Sequence, residues 1–232
     1  MVTYSIASFY KFVRLTNLDD RKLSLHNQAE NLDLKGTILL AEEGINAMIS
    51  GSPDLVTSFL VALQSQTEFA DLAVKTALTE IPPFQKLKIK VKKEIISFKE
   101  PCNPAEIAGT HVLAKDWNKL LSDPEVTVID VRNHYEVSEG MFPGAKNPNL
   151  KSFSAFRSFA RENLNPSKNR KIAMYCTGGI RCEKASSYLL SLGFEQVMQL
   201  EGGIIRYLQD IPPSENKFCG RNFVFDERGT AS

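Results

Sequence analysis

One cysteine stands where its neighbours favour a reactive thiolate. The segment reads Cys176-Thr177-Gly178-Gly179-Ile180-Arg181 and follows a short apolar run. Two successive glycines let the backbone curl so that its N–H groups point toward one centre, and the N-terminus of a following helix adds a partial positive charge. These surroundings lower the pKa of a cysteine from its free value of about 8.5. The segment therefore predicts a nucleophile or sulfur carrier that needs no separate general base.

The size and charge of this loop limit its ligands. Four residues separate Cys176 from Arg181, fewer than related phosphatase loops use to surround a tetrahedral phosphate, so the loop suits a single sulfur atom. The Arg181 guanidinium can close the loop and neutralise a persulfide, an oxyanion or a nearby phosphate. A buried cysteine before an ordinary glycine turn is the plain alternative, but both glycines together with the arginine favour an active site.

Three further residues could support the cysteine. Cys182, at the start of the following helix, could resolve an oxidised or persulfidated Cys176, or it could simply pack in the helix. Asp130 and Arg132 stand at the C-terminal end of a predicted strand, the edge where parallel sheets gather their active-site loops. They either orient the site or form a plain surface ion pair.

The second half of the chain alternates between strand and helix patterns. This alternation predicts an α/β domain with a central parallel sheet, and it places the cysteine at a strand-to-helix turn. The predicted order is helix 114–121, strand 126–131, helix 153–164, strand 171–176, helix 181–192, strand 196–200 and helix 203–208.

The first half has the order β-α-β-β-α-β, which predicts a ferredoxin-like α+β domain. Gly36 is expected to stop the first helix, which opens at Asp19 and Asp20. Pro53 is expected in the first turn of the second helix. The predicted strands are 4–13, 37–41, 45–50, 72–78 and 87–91, and the buried face of the second helix is Leu55, Val56, Phe59, Leu60 and Leu63.

Prolines and polar residues near 81–83 and 100–104 interrupt these patterns and predict a linker. We therefore expect four parts. They are an N-terminal ferredoxin-like (acylphosphatase-like) domain over 1–98, a linker and leading helix over 99–120, an α/β domain over 121–215 and a C-terminal tail over 216–232.

A run of alternating lysines raises the question of RNA binding. Lys86, Lys88, Lys90 and Lys92 are separated by apolar residues, so a strand would carry all four ammonium groups on one face. That face could bind an RNA backbone. It could equally be a solvated sheet edge that lysines protect from aggregation.

Composition describes an ordinary globular protein. Of its 232 residues 24% are charged and 43% hydrophobic, and a formal net charge of +1 leaves any nucleic-acid binding to a local patch. Without a signal-peptide pattern or an apolar stretch of about 20 residues, we expect a cytoplasmic protein that does not bind a membrane. The four cysteines and three histidines match no common zinc spacing, so reduced thiols, no metal and no bound cofactor are expected.

Four segments together resemble the rhodanese-domain tRNA uridine hydroxylases. The resemblance implies a rhodanese-like second domain and a cytoplasmic enzyme that uses dioxygen as co-substrate to form 5-hydroxyuridine at the wobble position of tRNA. Cys176 matches the active cysteine of that family, and tRNA, not DNA, is the implied partner. The segments are residues 176–185, Ile129-Asp130-Val131-Arg132-Asn133 with Glu136, residues 36–46, and Phe223-Val224-Phe225-Asp226-Glu227-Arg228.

The cysteine loop alone leaves other functions open. A sulfurtransferase would carry a persulfide on Cys176 from thiosulfate or a sulfur-donor protein, although residues 177–180 offer no second cation for the thiosulfate dianion. A non-catalytic binding module is a third function, since rhodanese folds are reused. In the hydroxylase, Cys176 could add to C6 of uracil or carry a sulfane sulfur that reduces a peroxy intermediate. Each chemical role requires a sulfur that is open to ligands.

Overall fold

The computed structural model describes residues 3–223 and 230–231. The chain folds into two compact units, the first ending at Ile96 and the second beginning at Ser97. The predicted tail at 216–232 and the segment Phe223-Val224-Phe225-Asp226-Glu227-Arg228 lie partly outside the described residues. None of the helices in the described part has both the length and the apolar character that crossing a bilayer requires.

The first unit is a five-stranded sheet with two helices. In chain order its elements are β1 (Tyr4–Phe12), α1 (Leu18–Asn31), β2 (Lys35–Ala41), β3 (Gly44–Gly51), α2 (Pro53–Gln64), a 3-10 turn (Thr67–Phe69), β4 (Val74–Thr79) and β5 (Leu87–Val91). The strands lie in the order β4-β1-β3-β2-β5. Neighbouring strands are antiparallel except β2 and β5, which are parallel.

Alternation along the strands explains why the helices cover one face of this sheet. Ala7 and Phe9 of β1 belong to the same buried cluster as Ala29 of α1 and Phe59 of α2. Because successive side chains of a strand point to opposite faces, Tyr10 and its alternate neighbours face the side without helices. The sheet therefore has a helix-covered core face and a helix-free face.

Three expectations for this unit were wrong in detail. The run 87–91 does not close a four-stranded sheet but adds β5 as a fifth strand at the edge beside β2. Helix α1 ends at Asn31 and the chain turns at Asp33, whose φ is 48°, while Gly36 lies inside β2. A Cβ at Gly36 would lie 2.2 Å from the Met48 carbonyl oxygen, so glycine is needed there for strand pairing. Leu55 is 37% exposed, because it lies beside the buried stripe of α2.

The second unit is built on a four-stranded parallel sheet. Its elements begin with β6 (Thr110–Val112), α3 (Ala114–Ser122), β7 (Val126–Asp130), α4 (His134–Val137), β8 (Gly140–Met141), a 3-10 turn (Phe153–Ala155) and α5 (Phe156–Asn163). They continue with β9 (Lys171–Tyr175), α6 (Ile180–Ser191), β10 (Gln196–Leu200), α7 (Gly203–Asp210), β11 (Cys219–Gly220), β12 (Asn222–Phe223) and β13 (Thr230–Ala231). The sheet order is β6-β10-β9-β7. Two short antiparallel pairs, β8 with β11 and β12 with β13, lie outside this sheet.

The predicted fold class is confirmed, with an α+β first unit and a parallel α/β second unit. Strand β10 has the predicted bounds, and β9 ends one residue before Cys176. Strand β6 and helix α4 were not predicted, because runs of three and four residues are too short to show a period. The predicted helix 153–164 is a 3-10 turn followed by α5.

An aromatic cluster fixes the sheet edge that carries the cysteine. The Phe142 ring lies 4.8 Å, centroid to centroid, from both Tyr175 of β9 and Tyr207 of α7. Trp117 of α3 adds an edge contact to Tyr175 at 6.1 Å. All four rings are buried, and such edge-to-face pairs add to the energy of their burial. The cluster therefore ties β9 to α3 and α7 directly before the active-site loop.

Candidate active site

Cys176 occupies the turn between β9 and α6, with its sulfur among backbone amides. The Gly179 amide donates to Cys176 Sγ at 3.1 Å, and the amides of Arg181 and Cys182 also donate to it. Gly179 has a φ of 100°, a left-handed value that favours glycine and curls the loop. The ring of inward amides that the sequence predicted is therefore present around this sulfur.

The start of α7 holds the same loop from outside. The amides of Ile204 and Ile205 donate to the carbonyl oxygens of Cys176 and Thr177 at 3.0 and 3.1 Å. A Cβ at Gly203 would lie 2.5 Å from the Cys176 carbonyl oxygen and 2.8 Å from the Gly179 nitrogen. Sequence reasoning missed Gly203, although paired glycines after a strand are a signal of close backbone approach. Gly203 thus allows α7 to pack directly against the loop.

The electrostatics of the loop favour the thiolate. Burial opposes ionisation of Cys176, but the hydrogen bond from the Cys182 thiol, the charge of Arg181 and the amides of both residues outweigh it. Together they lower the pKa of Cys176 to about 5. Cys176 is therefore a thiolate at neutral pH, which is the reactive form of cysteine.

Arg181 is held by a buried carboxylate that sequence reasoning did not include among the site residues. Its guanidinium donates to Glu136 Oε1 at 2.7 Å and also to Oε2, and to Thr177 Oγ1 at 3.2 Å. Thr177 Oγ1 in turn donates to Glu136 Oε1 at 2.9 Å. Burial opposes ionisation of Glu136, but its bonds to Arg181 prevail and its pKa is lowered. Glu136 therefore positions two side chains of the cysteine loop.

A sequence signal for Glu136 was available. The backbone amide of Asn133 donates to Glu136 Oε2 at 3.1 Å, which completes a capping box at the start of α4. An asparagine followed three residues later by glutamate is a known marker of a helix start. Helix α4 thus fixes the carboxylate before it meets Arg181.

Asp130 and Arg132 form a buried ion pair, so the surface alternative was wrong. Both side chains are 0% exposed, and Arg132 Nη2 lies 2.6 Å from Asp130 Oδ2. The guanidinium also donates to the carbonyl oxygens of Glu136 and Gly140. The pair therefore fixes the backbone of the segment that carries Glu136. The ion pair therefore acts on the Cys176 loop only through Glu136, which holds Arg181.

Cys182 is a fully buried hydrogen-bond donor to the reactive sulfur. Burial and the neighbouring Cys176 thiolate both raise the pKa of Cys182. It therefore keeps its proton when Cys176 has lost its own. This placement gives Cys182 a defined contact, whereas a resolving role stays a prediction.

We expect a Cys182→Ala variant to raise the pKa of Cys176 from about 5, because the sulfur loses one of the donors that stabilise its charge. Thiolate formation can be followed by ultraviolet absorbance against pH, with Cys176→Ala as the blank. Wild type will ionise as the pH rises through about 5, and the variant only at higher pH. Cys219→Ala, which removes an exposed cysteine, is the control. Identical titrations of Cys182→Ala and wild type would contradict this assignment.

One expectation about the sulfur was wrong. The sequence predicted a sulfur open to ligands, but Cys176 is 0% exposed in the structure. Residues 181–189 of α6 are buried as well, so the loop is enclosed by its surroundings. At Gly178 an added Cβ would have no other atom within 4 Å, so the loop is least crowded on that side. The enclosed sulfur must become exposed before a large substrate can reach it.

The four lysines lie in the first unit and not in the loop around Cys176. Lys88 and Lys90 are in β5, Lys86 and Lys92 flank it, and all four are exposed. In the second unit, His111 Nε2 lies 2.9 Å from Glu183 Oε1. Among residues 3–223 and 230–231, no group of three or more histidine, cysteine or acidic side chains could hold a metal ion.

Two family models match consecutive parts of the chain. The model described as "UPF0176 acylphosphatase like domain" matches residues 4–95, and the model of the rhodanese-like domain matches residues 113–210. The first covers the five-stranded sheet, and the second includes Cys176 and its loop. These matches agree with the two folds described above.

Several relatives that match nearly the whole of this chain share one name. The chain is 46% identical over 231 residues to a protein of Picosynechococcus sp. named tRNA uridine(34) hydroxylase, covering 99% of this chain and 78% of that one. It is 50% identical over 224 residues to the protein of that name from Synechococcus elongatus, covering 96% and 83%. A Synechocystis sp. protein with the same name is 45% identical over 228 residues, covering 98% and 82%. The chain therefore belongs to the tRNA uridine(34) hydroxylase family.

Proposed function

We propose that this protein is a cytoplasmic enzyme that converts the wobble uridine of tRNA to 5-hydroxyuridine, with dioxygen as co-substrate and Cys176 as its reactive group. The observation that carries the proposal is the identity of 45% to 50% with named tRNA uridine(34) hydroxylases across both units. The buried thiolate loop supports it, because hydroxylation at C5 of uracil requires electron-rich carbon, and a thiolate can supply the electrons.

In one route the Cys176 sulfur forms a bond to C6 of uracil. The electron pair of the C5–C6 double bond moves to C5 and the neighbouring carbonyl oxygen, and C5 then forms a bond to dioxygen. A thiol reductant removes the outer oxygen of the resulting peroxide, leaving a hydroxyl on C5. Loss of the C5 proton and of the Cys176 thiolate restores the double bond. Overall, uridine, dioxygen and two thiols give 5-hydroxyuridine, a disulfide and water.

In the other route Cys176 holds a sulfane sulfur as a persulfide, and a small thiolate adds to C6 in its place, so that C5 again forms a peroxide with dioxygen. The outer sulfur of the persulfide takes the outer oxygen of that peroxide and becomes a sulfenic acid, leaving a hydroxyl on C5. Two thiols return the sulfenic acid to the persulfide and give a disulfide and water, and loss of the C5 proton and of the small thiolate restores the double bond. This route requires a sulfur-donor protein or a small persulfide as an additional partner. Both routes use the same protein groups. The amide ring stabilises the sulfur anion, and Glu136 holds Arg181 beside it. In the first route, a thiolate with a pKa of about 5 is also a good leaving group when the Cys176–uracil adduct breaks down.

Isotope labelling tests the proposal directly. We expect the purified protein, given a tRNA with an unmodified wobble uridine, a thiol reductant and isotopically labelled dioxygen, to form 5-hydroxyuridine that carries one labelled oxygen. Nucleoside mass spectrometry measures both the product and the label. Product whose new oxygen comes from water would reject dioxygen as the co-substrate. No product, together with rapid transfer of sulfur from thiosulfate to cyanide, would establish a sulfurtransferase instead.

A further inference from the structure

The helix-free face of the first sheet has an ordered arrangement of side chains. Strand pairing places Lys75 beside Ser8, Ser8 beside Met48, Met48 beside Thr37, and Thr37 beside Lys88. These five side chains form one row across all five strands, about 19 Å wide at the usual strand spacing. A lysine therefore lies at each end of the row.

A second row runs beside the first. Tyr10 pairs with Asn46, Asn46 with Leu39, and Leu39 with Lys90. The alternate positions of these strands, including Phe9, Ala47, Leu40 and Ile89, belong to the core under the helices. The two rows therefore lie together on the helix-free face, where Asn46 donates to the Ile95 carbonyl oxygen at 3.0 Å, and none of their nine residues is acidic.

Strand β1, which lies next to the edge strand β4, carries two aromatic rings on this face. The rings of Tyr10 and Phe12 lie 6.3 Å apart on the same strand, and Lys75 Nζ lies 5.3 Å from the centre of the Tyr10 ring. Both rings are half-buried, whereas Lys88 and Lys90 are exposed. Besides Tyr10, the two rows contain two apolar residues, Met48 and Leu39, and three lysines, so the face offers both apolar contacts and ammonium groups.

We propose that this helix-free face binds single-stranded RNA, which for this enzyme is the loop of the tRNA anticodon arm. Unpaired bases stack on Tyr10 and Phe12, and the flanking phosphates contact Lys75, Lys88 and Lys90. Four-stranded sheets that bind RNA use aromatic side chains on an open face in this way, and ammonium groups beside them hold the backbone. The inference rests on the proposed function, because the identity of the RNA comes from it.

Charge makes RNA a better occupant than a protein or a lipid surface. Lysines at both edges match a chain of phosphates that crosses the sheet, and stacking on rings tolerates any base sequence. Each phosphate contact with single-stranded RNA contributes about 0.7 to the slope of log affinity against log salt. Two lysines therefore account for about 1.4 of that slope.

Binding assays with an anticodon-arm hairpin test the face without turnover. The full-length protein is titrated against the labelled hairpin in the absence of dioxygen, at several salt concentrations. We expect Lys88→Ala/Lys90→Ala to lower the salt slope by about 1.4. We expect Tyr10→Ala to weaken binding about 5- to 160-fold, the loss typical of one stacked base. A duplex of equal length should bind more weakly than the hairpin, because its bases cannot stack on the rings.

A matched control removes two exposed lysines elsewhere, Lys22 on α1 and Lys115 on α3. Lys22→Ala/Lys115→Ala makes the same charge change and should bind as wild type. The Lys88→Ala/Lys90→Ala variant could bind the hairpin like this control while wild type still hydroxylates tRNA. That result would reject RNA binding by the helix-free face and would leave the proposed enzymatic function unaffected. Equal affinity for hairpin and duplex would reject stacking on this face. If wild type neither binds the hairpin nor hydroxylates tRNA, the proposed function fails together with the face.

Discussion

Replacing Cys176 with alanine will reduce 5-hydroxyuridine formation by more than about a thousandfold, to the level of a reaction without protein. Both chemical routes form or hold a bond at this sulfur, and alanine offers no electron pair in its place. Nucleoside mass spectrometry of tRNA incubated with each protein measures the loss. Alanine removes the buried sulfur without adding volume, so the thermal unfolding midpoint provides a separate check that the variant is folded.

Cys219→Ala is the matched control for this prediction. Cys219 is exposed, and the same substitution there should leave both product formation and the unfolding midpoint near those of wild type. Undiminished product from a folded Cys176→Ala protein would contradict a chemical role for the sulfur. The enzyme would then have to use another group.

Replacing Glu136 with alanine will lower the free energy of unfolding by about 3 to 5 kcal/mol. The Glu136 side chain is 0% exposed and that of Arg181 is 6% exposed, so the substitution leaves a guanidinium buried without its carboxylate. Thr177 loses its acceptor at the same time. Denaturant unfolding of both proteins at neutral pH measures the difference. Hydroxylation will fall as well, because Arg181 and Thr177 are no longer held in the loop.

Glu139→Ala is the control, since Glu139 pairs with Arg221 at 3.3 Å on the surface. We expect that change to lower the free energy of unfolding by between about 0 and 1 kcal/mol. If Glu136→Ala were no more costly than Glu139→Ala, the buried pair would not stabilise the site as described.

Acid provides a second check on Glu136. The ionised Glu136 carboxylate stabilises the fold at pH values above its pKa in the unfolded chain, which is near 4.5. This stabilisation is lost as the pH falls through the lower pKa that Glu136 has in the folded protein. The difference in stability between wild type and Glu136→Gln will therefore shrink below about pH 4.5. A difference that stays constant into acid would contradict an ionised Glu136.

Local patterns in the sequence predicted most of the elements, because hydrophobic period and turn residues act over a few residues. Helix α2, the β2–β3 hairpin and the parallel α/β order all follow from such patterns. The place of β5 beside β2 does not, since a run of five residues shows a strand but not its neighbour in the sheet. Helix α4 was not predicted either, because four residues are too few to show a hydrophobic period.

The backbone geometry of the loop around Cys176 was also predictable, because two glycines and an arginine at fixed spacing describe it directly. The residues that surround the loop could not be predicted from the sequence. Glu136 is forty residues before Cys176 in the chain and reaches Thr177 and Arg181 only through the fold. Burial of Cys176 likewise depends on every element that packs near it. A charge pattern such as Asp130 and Arg132 looks the same in the sequence whether the pair is exposed or buried.

The turn at Cys176 is pinned on two sides, by the amides of Ile204 and Ile205 and by the contacts of Thr177 and Arg181 with Glu136. Dipoles fixed in this manner are already aimed at the anion and require little reorganisation during the reaction. Cys176 is 0% exposed, so a nucleobase reaches its sulfur only when neighbouring side chains are displaced. The backbone of the turn can keep its geometry during that displacement.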